Sequence, residues 1–205
     1  MPGPLIRNAA APDLDRLVRL EEQAFESDRM SARSYRRLLT SPTAACRVAM
    51  VGGSLAGSYT LLFRRNGAVA RLYSIAVADA HRGKGIGAAL LGDAERSAVG
   101  RRCRVLRLEV REQNGPAIAL YERRGYRRVG RRPLYYSDGS AAIVYEKSLD
   151  LGAAEDRSPR DLRRASLYIR PAKTREQTPT ARPPDRPRKA GTAKPPAAEP
   201  PPLPT

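Results

Sequence analysis

Leu14, Leu17, Val18 and Leu20 recur at helical spacing behind Ala11-Pro12-Asp13, which supplies a breaker and a cap. A short apolar run over residues 5–10 precedes them and reads as a strand. A second helix is predicted after Ser31, a good capping side chain, with Tyr35, Leu38 and Leu39 on its apolar side and Ser41-Pro42 as its stop. Apolar runs over 46–51, 55–63 and 69–77 are separated by Gly52-Gly53-Ser54 and Arg65-Asn66-Gly67, so they read as three strands joined by hairpin turns. The helical period returns at Ile86, Leu90, Leu91 and Ala94 and ends near Gly100, and residues 103–111 follow as a strand. A helix over 116–124 has Pro116 in its first turn and Gly125 as terminator, and strands over 126–131 and 141–149 close the series. Strand, two helices, three strands, helix, strand, helix and two strands make an α+β domain, a mixed central sheet flanked by about four helices.

That pattern stops after Asp150. Of the 18 prolines in the chain, 12 lie beyond this point, and bulky apolar residues almost vanish after Ile169. Such a segment cannot bury enough surface to offset its chain entropy. Residues 1–150 are therefore expected to form the domain, and 151–205 a basic, Pro-rich, disordered tail with at most a short helix over 160–169. The formal charge is +17 over 205 residues, and it is shared: 26 Lys/Arg face 15 Asp/Glu before Leu151, and 12 face 6 from there on. A basic balance favours an acidic partner such as nucleic acid, a ribosome or a phosphorylated cofactor. Arginine-rich composition throughout is the competing account. The first residues lack an apolar stretch of signal-peptide length, and no run approaches the roughly 18 apolar residues of a membrane span, so a soluble, cytoplasmic protein with no membrane partner is expected. Cys46 and Cys103 lie in apolar stretches without metal-ligand spacing and read as buried thiols, with neither disulfide nor metal site.

Chemistry enters between Tyr73 and Tyr126. Arg82-Gly83-Lys84-Gly85-Ile86-Gly87 lies at a strand-to-helix junction, where the free amides and dipole of a helix's first turn favour an anion. Gly85 and Gly87 would not obstruct a pyrophosphate, and Arg82 and Lys84 add positive charge. The spacing fits neither a Walker loop nor a dinucleotide fingerprint, and a plain Gly-rich turn is the other reading. Glu109 stands on the same strand face as Arg107 and Arg111, opposite Leu106, Leu108 and Val110. It is either an acid/base group or a solvated carboxylate paired with those arginines. Tyr121 shares its helix with Ala117 and Ile118, as a proton donor or as a half-buried core tyrosine. His81, the only histidine, reads as a loop residue near phosphate.

Taken together, Arg82-Gly83-Lys84-Gly85-Ile86-Gly87, Leu106-Arg107-Leu108-Glu109-Val110-Arg111, Asn114, Ala117-Ile118-Ala119-Leu120-Tyr121-Glu122, Gly125-Tyr126 and Tyr135-Tyr136 followed by Asp138-Gly139 resemble the Gcn5-related N-acetyltransferases, the GNAT family. Within it they look like the bacterial ribosomal-protein-alanine N-acetyltransferases, the RimI branch. The likeness spans about residues 5–149 and is dense from Tyr73 onward. It implies a GNAT fold, acetyl-CoA as co-substrate, Glu109 as general base and Tyr121 as general acid. Ile75, Ala76 and Val77 would offer main-chain groups to the pantetheine arm. Arg82 would lend its charge, Gly83, Lys84, Gly85, Ile86, Gly87 and Ala88 would hold the pyrophosphate, and Asn114 would hydrogen-bond the cofactor. Tyr135 and Tyr136 would shape the acceptor groove, with hairpin packing as the other reading.

The chemistry suits that allocation. Attack on a thioester needs a neutral amine; at pH 7 this costs roughly 1 to 1.4 kcal/mol for an α-amine and about 4.6 kcal/mol for lysine. One carboxylate, acting directly or through water, is an adequate base for an α-amine, and a phenol within reach of the departing thiolate would supply its proton. The expected reaction is direct acetyl transfer to a protein α-amine, foremost the N-terminal alanine of a small-subunit ribosomal protein. Lysine or a small-molecule amine is the alternative acceptor, and a non-catalytic acetyl-CoA-binding module whose tail contacts nucleic acid or a ribosome is the reading from another class. The acceptor side departs from the RimI pattern: Phe25-Glu26-Ser27-Asp28-Arg29-Met30-Ser31 lacks the tryptophan that commonly follows this phenylalanine, and Arg33, Arg36 and Arg37 come after it. An acidic or differently shaped peptide is expected there.

Overall fold

The computed structural model describes residues 3–65 and 67–151. The expectations for the tail, and for Asn66 in its turn, lie outside the described residues. The chain order is β1 (Leu5–Asn8), α1 (Leu14–Ala24), α2 (Ala32–Leu39), β2 (Ala44–Val51), β3 (Ser54–Phe63), β4 (Val69–Val77), α3 (Ile86–Gly100), β5 (Val105–Arg111), α4 (Gly115–Arg123), β6 (Arg127–Arg132) and β7 (Ala142–Ser148). Every predicted element is present in the predicted order. Single 3-10 turns at Ala11–Asp13 and Asp79–His81 precede α1 and the Gly-rich turn.

Where element ends differ from expectation, the amide in question is used elsewhere. Ala9 N–H goes to the Cys46 carbonyl and Ala10 N–H to the Asp13 carboxylate, so β1 ends at Asn8. Asp13 therefore does not cap α1 with its side chain; its oxygens are held by Ala10 N–H and, at 2.7 and 2.8 Å, by the Arg7 guanidinium. Cys103 N–H bonds the Ala98 carbonyl and Arg104 N–H the Ala68 carbonyl, which delays β5 to Val105. Tyr126 N–H closes α4 on the Tyr121 carbonyl while Gly125, at φ +81, bonds Glu122, the double closure of a Schellman ending. Ser31 caps α2 as predicted, its hydroxyl accepting from Ser34 N–H.

The seven strands form one sheet in the order β1-β2-β3-β4-β5-β7-β6. All neighbours are antiparallel except β4 and β5, which are parallel because α3 crosses between them. Side chains alternate between two covered faces. Val48 joins Leu17, Met30 and Tyr35 under α1 and α2. Its neighbour Ala49 joins Leu61, Leu72, Leu106 and Leu108 under Leu90, Leu91 and Ala94 of α3 and Tyr121 of α4. Gly57 lets α3 lie this close: a Cβ there would stand 2.7 Å from the Ala76 carbonyl oxygen and 2.9 Å from Leu90 Cδ1. Both cysteines are buried free thiols, and burial raises the pKa of each.

Candidate active site

β4 and β5 begin as partners and then part. Their register runs from Val69 opposite Val105 to Leu72 opposite Leu108 and stops there, although both strands continue, to Val77 and Arg111. The break coincides with an irregularity on the other side of β4. Thr60 faces Ser74 while Leu61 faces Leu72, which leaves Tyr73 as an extra residue. A bulge bends and twists its strand, and here it turns β4 away from β5. Ile75, Ala76 and Val77 remain paired with Tyr59, Ser58 and Gly57 of β3, but their β5 side has no strand partner. That is the place where sequence reading puts a pantetheine arm.

The far end of β4 leads through the Asp79–His81 turn into the Gly-rich segment. Gly83 and Gly85 adopt φ +73 and +77, a left-handed backbone that only glycine takes without strain, and a Cβ on either would meet nothing within 4 Å. Gly85 occupies the N-cap position of α3 and has no side chain to bond the first-turn amides, so those amides of Ile86, Gly87 and Ala88 are available to an anion. Lys84 is anchored to the Ala80 carbonyl at 2.9 Å, and Arg82 pairs with Asp79 at 2.8 Å. Gly87 packs against α4: a Cβ would lie 3.4 Å from Leu120 Cδ2 and 3.7 Å from Val77 Cγ2. Asn114 caps α4, its Oδ1 accepting from Ala117 N–H at 3.2 Å; the capping bond leaves its Nδ2 donors for a ligand. Residues and backbone thus fit a pyrophosphate followed by a thin chain.

Glu109 is the first β5 residue beyond the last β4–β5 pair. It is not the solvated carboxylate paired with Arg107 and Arg111: its side chain is 3% exposed, and its cations come from β4 and β6. Arg71 Nε donates to Oε2 at 2.9 Å, and Arg132 Nη2 stands 3.7 Å from Oε1. Arg107 is turned to Glu146 instead, while Arg111 serves the surrounding loops. Oε1 is buried without a hydrogen-bond partner.

Tyr121, read as a proton donor or as a half-buried core tyrosine, is 4% exposed and packs against Tyr126 and Tyr145 at centroid distances of 5.7 and 6.2 Å. Burial first, and the neighbouring Tyr136 second, raise its pKa. Tyr121 belongs to the α3 face, whereas Glu109 alternates with Leu108 onto the α1 face. The gap between β4 and β5 is the space that the two can share. Burial first, and Tyr135 second, raise the pKa of Tyr136, while the nearby Arg111 opposes them.

Around the mouth on the Glu109 side, two loops are tied together. Asp28 accepts from Ser137 N–H and its hydroxyl, both at 3.1 Å. Arg111 bonds Ser27, Asp138 and Ser140 and lies 4.1 Å over the Tyr136 ring. Tyr135 and Tyr136 meet edge to face at 5.0 Å, and Arg71 Nη2 donates to Tyr135 Oη. Behind Tyr73, Glu21 is buried and accepts from Tyr35 Oη at 2.9 Å, Met30 N–H at 3.2 Å and Ser74 Oγ at 3.3 Å. Sequence reading passed over Glu21 and Arg71, and named Asp28 only as part of the acceptor-side segment 25–31. Glu21 had a signal, standing four residues after Leu17 on the apolar stripe; Arg71 had none.

His81 lies at the end of the turn that precedes the Gly-rich segment. Among the described residues no helix is long and apolar enough to cross a membrane.

Residues 12–126 match the Acetyltransferase (GNAT) family. An uncharacterized protein of Mycobacterium leprae, ML0378, is 34% identical over 148 residues, covering 67% of this chain and 39% of its own length, so the chain spans about two-fifths of that relative. A putative ribosomal protein bS18-alanine N-acetyltransferase of Bacillus subtilis is 31% identical over 140 residues, 68% of this chain and 91% of the relative. The N-alpha-acetyltransferase RimI of Mycobacterium tuberculosis is 36% identical over 143 residues, with 68% and 88% covered. The crystal structure of the ribosomal-protein-S18-alanine N-acetyltransferase from Escherichia coli aligns with a TM-score of 0.66 at 25% identity, over 76% of this chain and 99% of that one. Parted strands, a left-handed Gly-rich turn before α3 and this likeness over most of the described residues converge: the chain belongs to the GNAT family and is an N-acetyltransferase.

Proposed function

We propose that this enzyme acetylates a protein α-amine in the cytoplasm, foremost the N-terminal alanine of a small-subunit ribosomal protein, with Glu109 as base and Tyr121 as acid. The observation that carries the reading is the buried Glu109 Oε1, without a hydrogen-bond donor where β4 and β5 part. A buried acceptor without a donor is costly, and an amine N–H or a water placed there removes that cost while Oε1 takes the proton. The names of the Bacillus subtilis and Escherichia coli relatives, each that of an alanine N-acetyltransferase of a ribosomal protein, support the acceptor class.

Acetyl-CoA, the acyl donor of GNAT enzymes, supplies a thioester. Ile75, Ala76 and Val77 would bind its pantetheine arm by main-chain groups. Gly83 to Ala88, with Arg82 and Lys84, would hold the pyrophosphate on the amides that begin α3, and Asn114 would add a hydrogen bond. Tyr121 Oη retains its proton at neutral pH, because burial raises its pKa, and is thus able to deliver it to a departing thiolate. The tied loops around Asp28 and Ser137 would wall the acceptor and keep water from the gap.

Glu109→Gln and Tyr121→Phe are each expected to lower turnover by about 100-fold or more and to leave acetyl-CoA affinity within about twofold. Undiminished turnover in both would sink the assignment. Peptides with free and blocked N-termini separate an α-amine from a lysine acceptor: blocking should abolish acetylation.

A further inference from the structure

Two guanidiniums lie near Glu109, and one of them hydrogen-bonds it. Arg71 Nε donates to Oε2 at 2.9 Å, whereas Arg132 Nη2 stands 3.7 Å from Oε1, which has no hydrogen-bond partner among the described residues. The ladder explains this choice. Arg71 of β4 and Arg107 of β5 are Cα partners, so both side chains start on the Glu109 face. Arg107, however, is also the Cα partner of Glu146 on β7 and takes that carboxylate. Glu109 is left to Arg71, whose side chain is 14% exposed.

The same guanidinium makes a second bond: Arg71 Nη2 donates to Tyr135 Oη at 2.5 Å, in the loop between β6 and β7. Burial disfavours the Arg71 charge, and Glu109 and Tyr135 outweigh it, so its pKa is raised. Tyr135 meets Tyr136 edge to face, and Arg111, over the Tyr136 ring, bonds Ser27 in the loop after α1 and Asp138. A guanidinium is a planar fork that keeps Nε and Nη2 at a fixed separation, so one side chain sets the carboxylate and the loop relative to each other. With Oε2 held, the carboxylate cannot exchange its two oxygens, and Oε1 stays turned to the gap. A base ordered in advance spares each turnover that cost, and misplacement by about 1 Å can lower rates roughly 100-fold.

We propose that Arg71 is a positioning residue: it fixes the Glu109 carboxylate with Oε1 open to the acceptor amine and ties that base to the acceptor loop through Tyr135. The inference rests on Glu109 being the base and deepens that reading by naming the group that orients it. Arg71 touches neither amine nor thioester; it acts through Glu109.

The test is a set of mutant cycles on the full chain, with kcat measured on an alanine-initiated peptide and acetyl-CoA affinity by titration calorimetry. Arg71→Gln is expected to lower kcat at least about fivefold while acetyl-CoA Kd stays within about twofold. Added to Glu109→Gln, the same change should lower kcat by less than about twofold more, because its effect runs through that carboxylate. An arginine that only supported the fold would act equally in both backgrounds. Tyr135→Phe, which removes the hydroxyl and keeps the ring, should lower kcat about threefold in the wild type and less than about 1.5-fold beside Arg71→Gln. Should Arg71→Gln not fold, Arg71→Lys replaces it, since an ammonium keeps the charge and lacks the fork; the same non-additivity with Glu109→Gln and Tyr135→Phe is expected. A smaller fall in kcat by the folded Gln variant, equal effects with and without Glu109, or additive effects at positions 71 and 135 overturn the proposal. Failure of the base assignment is read separately, as undiminished turnover by Glu109→Gln.

Discussion

Glu21 is a carboxylate on the buried stripe of α1, and its three donors come from α1's own exit loop, from α2 and from β4. Burial outweighs those hydrogen bonds and raises its pKa above the ordinary 4.5. For an acid with a raised folded pKa, the associated stability is fully present below the unfolded value and is lost as pH rises through the folded one. Glu21→Gln is therefore expected to gain melting temperature relative to the wild type as pH increases from 4 to 7; a constant or shrinking difference in thermal melts would count against this. The same residue scale shows what was readable in advance. The period-two alternation put Glu109 on the polar face, but its ion partners lie 38 residues before it and 23 after it. Near neighbours Arg107 and Arg111 were the natural guess, and each is drawn off by a carboxylate on a different element.

At the scale of elements, α3 is where sequence and packing agree most closely. Its apolar stripe was periodic and a Gly-rich turn was read before it; the structure packs the stripe and gives Gly83 and Gly85 positive φ. Gly57 had no such signal, since a glycine within an apolar strand gives no hint of what lies over it. The helix rests on it so closely that Gly57→Ala should cost about 1–3 kcal/mol by overpacking, read as a lower denaturant midpoint with unchanged slope. Because Gly57 also faces Val77 across the ladder, acetyl-CoA affinity should fall in the same variant. Unaltered stability would mean that α3 has room to move. α4 ends through Gly125 as expected, whereas Asp13 at the start of α1 was claimed by Arg7 instead of the helix. Helix termini were thus legible where the cap is local, and misread where a charged side chain elsewhere competes.

Over the whole molecule, every residue assigned to the site lies within residues 3–151, and the sequence beyond holds 12 of the 18 prolines and few bulky apolar residues to add to a core. Deleting residues 152–205 should therefore leave turnover on a short peptide within about twofold and shift the melting temperature by less than about 3 °C. A large fall in either would assign residues beyond 151 to the core or the site. The order of elements, the sheet class and the Gly-rich turn were settled by the sequence itself, because hydrophobic period, turn chemistry and caps act over a few residues. Only the tertiary structure decided that β4 leaves β5 after Leu72, that Glu109 stands at that parting between Arg71 and Arg132, and that Tyr121 approaches from the opposite face. These depend on strand register and on charges brought together from distant parts of the chain, and no local pattern encodes which of many arginines arrives beside one carboxylate.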